Sequence, residues 1–107
     1  MAYNEELDER IAETISNWGT QRKKMFGGTC HLLKGNMLCG VNKDYLILRL
    51  GEHAGSITLK KPFVKPFDIT GRPMKGWVMV AEGGFQGSDL EAWLDKARDF
   101  VETLPPK

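Results

Sequence analysis

The stretch that decides the fold is HLLKGNMLCGVNKDYLILRLG, residues 31–51. Its Gly35-Asn36 pair stands between two apolar segments, which is the signature of a two-residue β-hairpin. A second turn is indicated at 42–44, and alternate leucines within 45–50 give the following strand one wholly apolar face. Three consecutive strands with such short connections must be antiparallel, because a parallel return needs a much longer crossover.

Two amphipathic helices are predicted to flank these strands. The first covers residues 4–18, with Asn4 as N-cap, acidic residues in its opening turns and Gly19 as its stop. Its apolar stripe consists of Leu7, Ile11, Ile15 and Trp18. The last helix begins at Ser88, which is placed to form a capping box with Glu91, and apolar residues then recur at helical spacing until the closing prolines.

The connection after the third strand is harder to assign. A short helix is predicted around 53–60, and Pro62 and Pro66 keep the chain irregular or at a sheet edge. A short strand at 67–69 and a longer one at 75–81 follow. The order of elements predicts an α+β fold, a two-layer domain in which an antiparallel β-sheet has the N- and C-terminal helices packed on it.

Length and composition indicate one globular domain covering residues 1–107. The chain is 41% hydrophobic and 27% charged, which is ordinary for a folded domain of this size. No apolar run approaches the roughly 20 residues that a membrane-spanning helix needs. The acidic N-terminus lacks the order of charges and apolar residues found in a signal peptide. We therefore expect a cytoplasmic protein that does not bind membranes.

Charge is unevenly distributed along the chain. From Arg22 to Lys75 there are eleven Lys and Arg against three acidic residues, a net +8, whereas the two flanks hold four basic and eleven acidic residues, a net −7. Because the flanks are the predicted helices, the side of the sheet that they leave free is expected to be cationic and to attract an anionic partner. The alternative is that acidic helices and basic loops keep the domain soluble or pair with each other.

The cysteines and histidines do not suggest a reactive or metal site. With the hairpin turned at its Gly-Asn pair, Cys30 falls opposite Val41, and Cys39 becomes a diagonal neighbour on the same face at about 7 Å. That separation is too long for an unstrained disulfide, so two buried thiols are expected. His31 points away from Cys30, and no close-spaced pair of metal ligands occurs. We expect no metal and no cofactor.

Catalytic motifs are missing from the sequence, whereas basic residues form two groups. No P-loop, dinucleotide fingerprint or G-x-S-x-G occurs, so a non-enzymatic protein is expected. The candidate binding residues are Arg22, Lys23, Lys24, Arg72, Lys75 and Trp77; Lys60, Lys61 and Lys65 extend the later group. Aromatic side chains lie between these cations and could stack on nucleic-acid bases. Alternatively, the rings belong to the core and the cations flank the strand ends.

The whole chain resembles the TfoX N-terminal-domain-like family. The resemblance rests mainly on MFGG at 25–28 and TGRPMKGW at 70–77, together with GNMLCGV between them and the closing LPPK. It implies a small two-layer α+β fold with helices packed on an antiparallel sheet. Longer relatives carry this domain ahead of a second, helical domain and regulate genes for natural competence. The resemblance supplies no catalytic residues.

These observations favour a non-enzymatic regulatory or adaptor domain that binds a protein partner, with a role in competence or transcription regulation. Two other functions stay open: a nucleic-acid-binding module that uses the same cations, and a small-ligand or enzymatic site near Arg72 and Trp77. A homodimer formed through a sheet edge or an apolar face is a further alternative. Residues 70–76 are expected to form a turn that leads into the Trp77 strand, with its backbone geometry set by Gly71 and Pro73 and with Arg72 and Lys75 as cations at its rim.

Overall fold

A computed structural model describes residues 4–25, 28–68 and 74–106 of the chain. Within these ranges the helices are α1 (Glu5–Thr14), α2 (Glu52–Thr58) and α3 (Asp89–Val101). The strands are β1 (Gln21–Met25), β2 (Gly28–Leu33), β3 (Asn36–Asn42), β4 (Tyr45–Arg49), β5 (Val64–Pro66) and β6 (Trp77–Val80). A 3₁₀ turn at Glu82–Gly84 connects β6 to the last helix.

The six strands form one sheet in the order β1-β2-β3-β4-β6-β5, and every neighbouring pair is antiparallel. The predicted antiparallel arrangement of β2, β3 and β4 is confirmed. Helices α1 and α3 contact the central strands, so the predicted two-layer α+β fold is confirmed as well. In the part of the chain that the structure describes, no helix is long and apolar enough to cross a bilayer.

The main core lies between the sheet and the helices α1 and α3. The sheet contributes Leu46, Leu48, Val78 and Val80, and the two helices contribute Leu7, Ile11, Leu94 and Ala97, among others. The apolar alternation predicted for β4 is confirmed, because Leu46 and Leu48 are fully buried here. Burial of each such leucine contributes roughly 1.5–3 kcal/mol, so this interface fixes which face of the sheet the helices cover.

The first hairpin turns one residue earlier than predicted. Its turn residues are Lys34 and Gly35, both with positive φ (53° and 85°), as the tight turns that suit twisted hairpins require. Asn36 already belongs to β3 and pairs with Leu33. The turn predicted at Gly35-Asn36 is therefore wrong by one position.

A β-bulge then changes the pairing of the two cysteines. The register shifts between His31 and Leu32, so Cys30 pairs with Gly40 and His31 with Cys39. The predicted pairing of Cys30 with Val41, and the shared face with Cys39, are wrong. The extra residue in the bulge moves the side chains by one position, which in a strand reverses the face. The two thiols are buried on opposite faces of the sheet, which excludes a disulfide between them.

The helix ends are only partly as predicted. Asn4 caps α1, with its Oδ1 accepting a hydrogen bond from the Leu7 backbone N–H at 3.0 Å, which confirms the predicted N-cap. The regular helix stops at Thr14, and turns rather than helix lead to Trp18. Ser88 has helical backbone angles and makes no side-chain capping bond. The predicted capping box is therefore wrong, because a capping serine needs extended backbone to reach the helix start.

The structure contains one short helix as predicted, one strand displaced from its predicted position and one strand that was not predicted. Helix α2 lies where the short helix was predicted. The short strand occurs at Val64–Pro66 rather than at 67–69, and Ile69 lies outside the described residues. Pro66 sits in an edge strand, as its missing donor requires. Strand β1 was not predicted, because its sequence is polar and charged and shows no apolar alternation.

Candidate binding surface on the β-sheet

The face of the sheet turned away from α1 and α3 is called the distal face. One row of paired residues crosses all six strands on this face: Lys23, Cys30, Gly40, Ile47, Met79 and Lys65. Residues directly opposite each other on neighbouring strands share a face, and Ile47 and Met79 belong to an apolar cluster separate from the main core. The row therefore places a lysine at each edge of the distal face.

The centre of the distal face is filled by side chains. Ile47, Phe67 and Met79 are buried there, and Trp77 packs partly buried against them. The ring centroids of Phe67 and Trp77 are 5.7 Å apart. The burial of Phe67 agrees with the alternative that the rings between the cations belong to the core; Phe26, another of these rings, lies outside the described residues. This face therefore presents cations and ring edges around a filled centre.

Two cations on the distal face are held over aromatic rings. The Arg49 guanidinium lies 5.3 Å from the centroid of the Trp77 ring, and the Lys65 ammonium lies 4.4 Å from that of Tyr45. Such contacts contribute about 0.5–2 kcal/mol and reduce the freedom of long side chains. Among the described residues, neither cation forms an ion pair with an acid. Their charges are thus positioned without an ion pair among the described residues, although Glu52 lines the same cleft as Arg49.

Lys75 and Trp77 come together at the start of β6, and Arg49 joins them. These three residues line a shallow cleft of ≈ 110 Å³. Gly76 between them has φ of +85°, and a Cβ at this position would lie 3.0 Å from the backbone carbon of Gly51. A glycine is therefore required where the chain enters the strand. Arg49 was not among the predicted binding residues. Its position two residues after Ile47 in an alternating strand places it on the face opposite the leucines, and this signal could have identified it.

The other predicted basic group is divided between the two faces of the sheet. Lys23 lies on the distal face, whereas Arg22 and Lys24 pair with His31 and Thr29, whose side chains face α1. Strands β2, β3 and β4 lie between β1 and β6, a separation of roughly 19 Å at the usual strand spacing. The first basic group and the Lys75–Trp77 pair are therefore not brought together. Arg72 lies outside the described residues.

Arg22 is bound by acids of the protein itself. Its Nε donates a hydrogen bond to Asp8 Oδ2 at 2.9 Å, and its Nη2 contacts the same oxygen and, at 2.7 Å, Glu9 Oε1. Asp8 is 1% exposed and also accepts hydrogen bonds from Thr29 Oγ1 at 2.7 Å and from His31 Nε2 at 2.8 Å. We call Asp8 with Arg22, Thr29 and His31 the Asp8 cluster. The hydrogen bonds of this cluster connect α1 to strands β1 and β2 at the edge of the sheet.

The Asp8 cluster favours the ionised carboxylate. Burial by itself raises the pKa of Asp8, but hydrogen bonds from Thr29, Arg22 and His31 outweigh it and leave the pKa below its ordinary value. Its hydrogen bonds to Glu9 and to Asp8 raise the pKa of Arg22. Sequence reasoning treated Asp8 as one of the acids at the helix start. Its position three residues before Ile11 and seven before Ile15 places it beside the apolar stripe, a signal that could have revealed its burial.

The buried thiols offer no reactive nucleophile. Burial raises the pKa of Cys39, with the Asp8 carboxylate and Cys30 adding to the effect. Burial likewise raises the pKa of Cys30, against a small opposing influence of Lys23. Both groups are thus held as neutral thiols, whereas nucleophilic cysteines are thiolates. Across the described ranges, no three His, Cys, Asp or Glu side chains are grouped so that they could hold a metal ion.

The fold and the surface together define a class of protein. It is a two-layer α+β domain whose antiparallel sheet carries helices on one face and cation–aromatic pairs on the other. The family model of the TfoX N-terminal domain matches residues 14–101, which is most of the chain. The chain belongs to the TfoX N-terminal domain family. No curated protein and no solved structure matches it significantly.

Proposed function

We propose that this protein is a non-enzymatic regulatory domain that binds an acidic protein partner through the distal face. The observation that carries the proposal is the pair of cations, Arg49 and Lys65, held over aromatic rings with no acidic partner in the described part of the chain. Ordered, unneutralised cations lose little entropy on binding and favour association with a complementary negative surface. Membership of the TfoX N-terminal domain family supports competence or transcription regulation as the proposed context.

A protein partner is favoured over nucleic acid by the state of the rings. Base stacking needs exposed aromatic faces, but Phe67 is buried, and Arg49 and Lys65 already lie over Trp77 and Tyr45. Arg22, a candidate phosphate contact, is occupied by Asp8 and Glu9. Phe63 is 55% exposed, and the remaining cations can contact phosphates, so the nucleic-acid alternative becomes one of electrostatic binding with stacking limited to Phe63 among these rings.

A small-ligand or enzymatic site beside Trp77 has less support. The cleft that Trp77 lines with Arg49 measures ≈ 110 Å³, and the groove that it lines with α2 measures ≈ 240 Å³. Both are smaller than the roughly 300–1,000 Å³ typical of small-molecule sites. A macromolecular partner needs no deep pocket, and the distal face is a wide surface with shallow clefts.

The sheet edges disfavour a homodimer formed by strand addition. Strand β1 carries Arg22, Lys23 and Lys24 in succession, and β5 has three residues and ends in Pro66. Charged and proline-containing edges oppose pairing between copies. We expect light scattering to give the mass of one 12.0 kDa chain across concentrations. A mass of twice that value would support self-association by another surface.

The test of the protein-binding proposal is affinity capture from an extract of the source cells. The variant Arg49→Gln with Lys65→Gln removes two charges from the distal face. Lys34→Gln with Lys43→Gln removes the same charge from exposed hairpin turns and serves as the matched control. We expect a captured partner to be lost with the first variant and retained with the control. Equal recovery with both variants would place the contact elsewhere.

Nucleic acid is tested with the same proteins. Labelled single- and double-stranded DNA is titrated at low salt, where phosphate contacts are strongest. The proposal expects weak binding that the distal-face variant and the control variant reduce equally. Tight binding that falls steeply with salt, and that only the distal-face variant abolishes, would replace the protein partner with nucleic acid.

A further inference from the structure

A groove of ≈ 460 Å³ lies between α2 and α3. Its apolar lining includes Leu50, Ala54 and Phe100, and Ile57 on α2 is 51% exposed beside them. The volume falls within the range of small-molecule sites, and mostly apolar walls with a few polar groups are their usual construction.

Two lysines converge at one end of this groove. Lys61 follows α2, and Lys96 belongs to α3. Their ammonium groups lie 5.6 and 5.3 Å from the centroid of the same Trp93 ring. The ring is fixed because its Nε1 donates a hydrogen bond to the Gly84 carbonyl oxygen at 2.7 Å. Two cations from separate parts of the chain therefore lie beside the same rigid aromatic ring.

The two charges are not neutralised within the described residues. Neither lysine forms an ion pair with an acid there, although Asp99 lines the same groove. The proximity of Lys61 lowers the pKa of Lys96, and burial adds to the effect. Like charges placed together repel each other, and an anion between them turns this repulsion into two attractive contacts. Ammonium groups bind carboxylates and phosphates through charge-assisted hydrogen bonds.

We propose that this groove binds a small anionic amphiphile. Its carboxylate or phosphate headgroup lies between Lys61 and Lys96, and its aliphatic chain covers Ile57 and Phe100. The charge of the lysine pair and the apolar lining each select one half of such a ligand. The groove contains neither Arg49 nor Lys65, although Phe100 lines both this groove and the cleft beside Trp77, so variants of the lysine pair test ligand binding separately from the proposed partner binding.

The test is calorimetric titration of the full chain with octanoate and octyl phosphate. We expect saturable one-site binding of at least one of them, and the tighter ligand identifies the headgroup. Octanol and inorganic phosphate, which each lack half of the ligand, should bind at least tenfold more weakly. Since a hydrogen bond to a charged group is worth a factor of about ten or more, Lys61→Met with Lys96→Met should weaken binding by about tenfold or more.

Matched variants separate charge from structure. Lys60→Met removes a neighbouring exposed lysine that does not line the groove and should leave affinity unchanged, and Lys96→Arg should retain binding. Ile57→Ser tests the apolar half, and we expect a several-fold loss. All four positions are exposed, so circular dichroism should show an unchanged fold for each variant. If the double lysine variant unfolds, the proposal is tested instead by the affinity of Ile57→Ser and by ligand-induced amide shifts at Ala54 and Phe100 in the wild-type protein.

Three results would overturn the proposal. The first is absence of saturable binding for both anions at millimolar concentration. The second is equal affinity of octanol and octanoate, which would mean that only an apolar surface is present. The third is unchanged octanoate affinity in the folded double lysine variant or in Ile57→Ser.

Discussion

Replacing Asp8 with alanine should lower the free energy of unfolding by about 3 kcal/mol. Asp8 is buried at the junction of α1, β1 and β2, where its carboxylate accepts hydrogen bonds from Thr29, His31 and Arg22. Removing it leaves the hydroxyl of Thr29 and the ring N–H of His31 buried without their acceptor.

The magnitude follows from those orphaned groups. A buried donor that loses its partner costs about 1–3 kcal/mol, and breaking a buried ion pair by removing one side costs about 3–5 kcal/mol. Arg22 keeps Glu9 and remains partly in solvent, which limits its share. An estimate of about 3 kcal/mol is a large part of the roughly 5–15 kcal/mol that stabilises a typical domain.

The assay is urea unfolding followed by tryptophan fluorescence and circular dichroism at neutral pH. Glu9→Ala is the matched control, because Glu9 is the other acid that contacts Arg22, lies in the same part of α1 and is 63% exposed. An exposed ion pair contributes about 0–1 kcal/mol. A loss below about 1 kcal/mol for Asp8→Ala, or a loss equal to that of the control, would refute the role given to the Asp8 cluster.

Three further predictions follow from burial and backbone contacts. The pKa of Asp8 is lower in the folded than in the unfolded state. The contribution of its carboxylate to the free energy of unfolding is therefore complete above the ordinary carboxyl pKa and is lost as pH falls through the folded value. Urea midpoints should accordingly fall more steeply with decreasing pH in the wild type than in Asp8→Ala. Gly40→Ala should cost about 1–3 kcal/mol in the same assay, since the new Cβ would lie 2.3 Å from a backbone oxygen of β2, and an unchanged midpoint would contradict this. Cys30 and Cys39 should react with a chromogenic thiol reagent only at the rate of unfolding, because both are buried; rapid reaction of the folded protein would show otherwise.

Local patterns were sufficient where neighbouring residues form the structure. The N-cap at Asn4, the antiparallel order of β2 to β4 and the apolar face of β4 depend on spacing within a few residues, and all are confirmed. The failures also have local causes. The turn moved to Lys34-Gly35, and a bulge beyond it reversed the face of one cysteine relative to the other, because a strand has a period of two residues.

The candidate surface was predictable only in part. Lys75 and Trp77 are near each other in the sequence, and both were proposed as binding residues. The contact of Arg49 with Trp77 depends on β4 and β6 being neighbours, and the contact of Lys65 with Tyr45 reaches from β5 to β4 across β6. No sequence pattern reveals such neighbours when a long connection separates the strands.

The sequence by itself determined the fold class, the helix-covered face and the excess of positive charge in the strands, because periodicity and composition act over short distances. Tertiary structure alone decided which cations remain available. In the folded protein Arg22 forms an ion pair with the buried Asp8, Arg49 and Lys65 lie over aromatic rings, and Lys61 lies beside Lys96. The reason is that a charge is neutralised or left free by groups that are close in space, and those groups here come from distant parts of the chain.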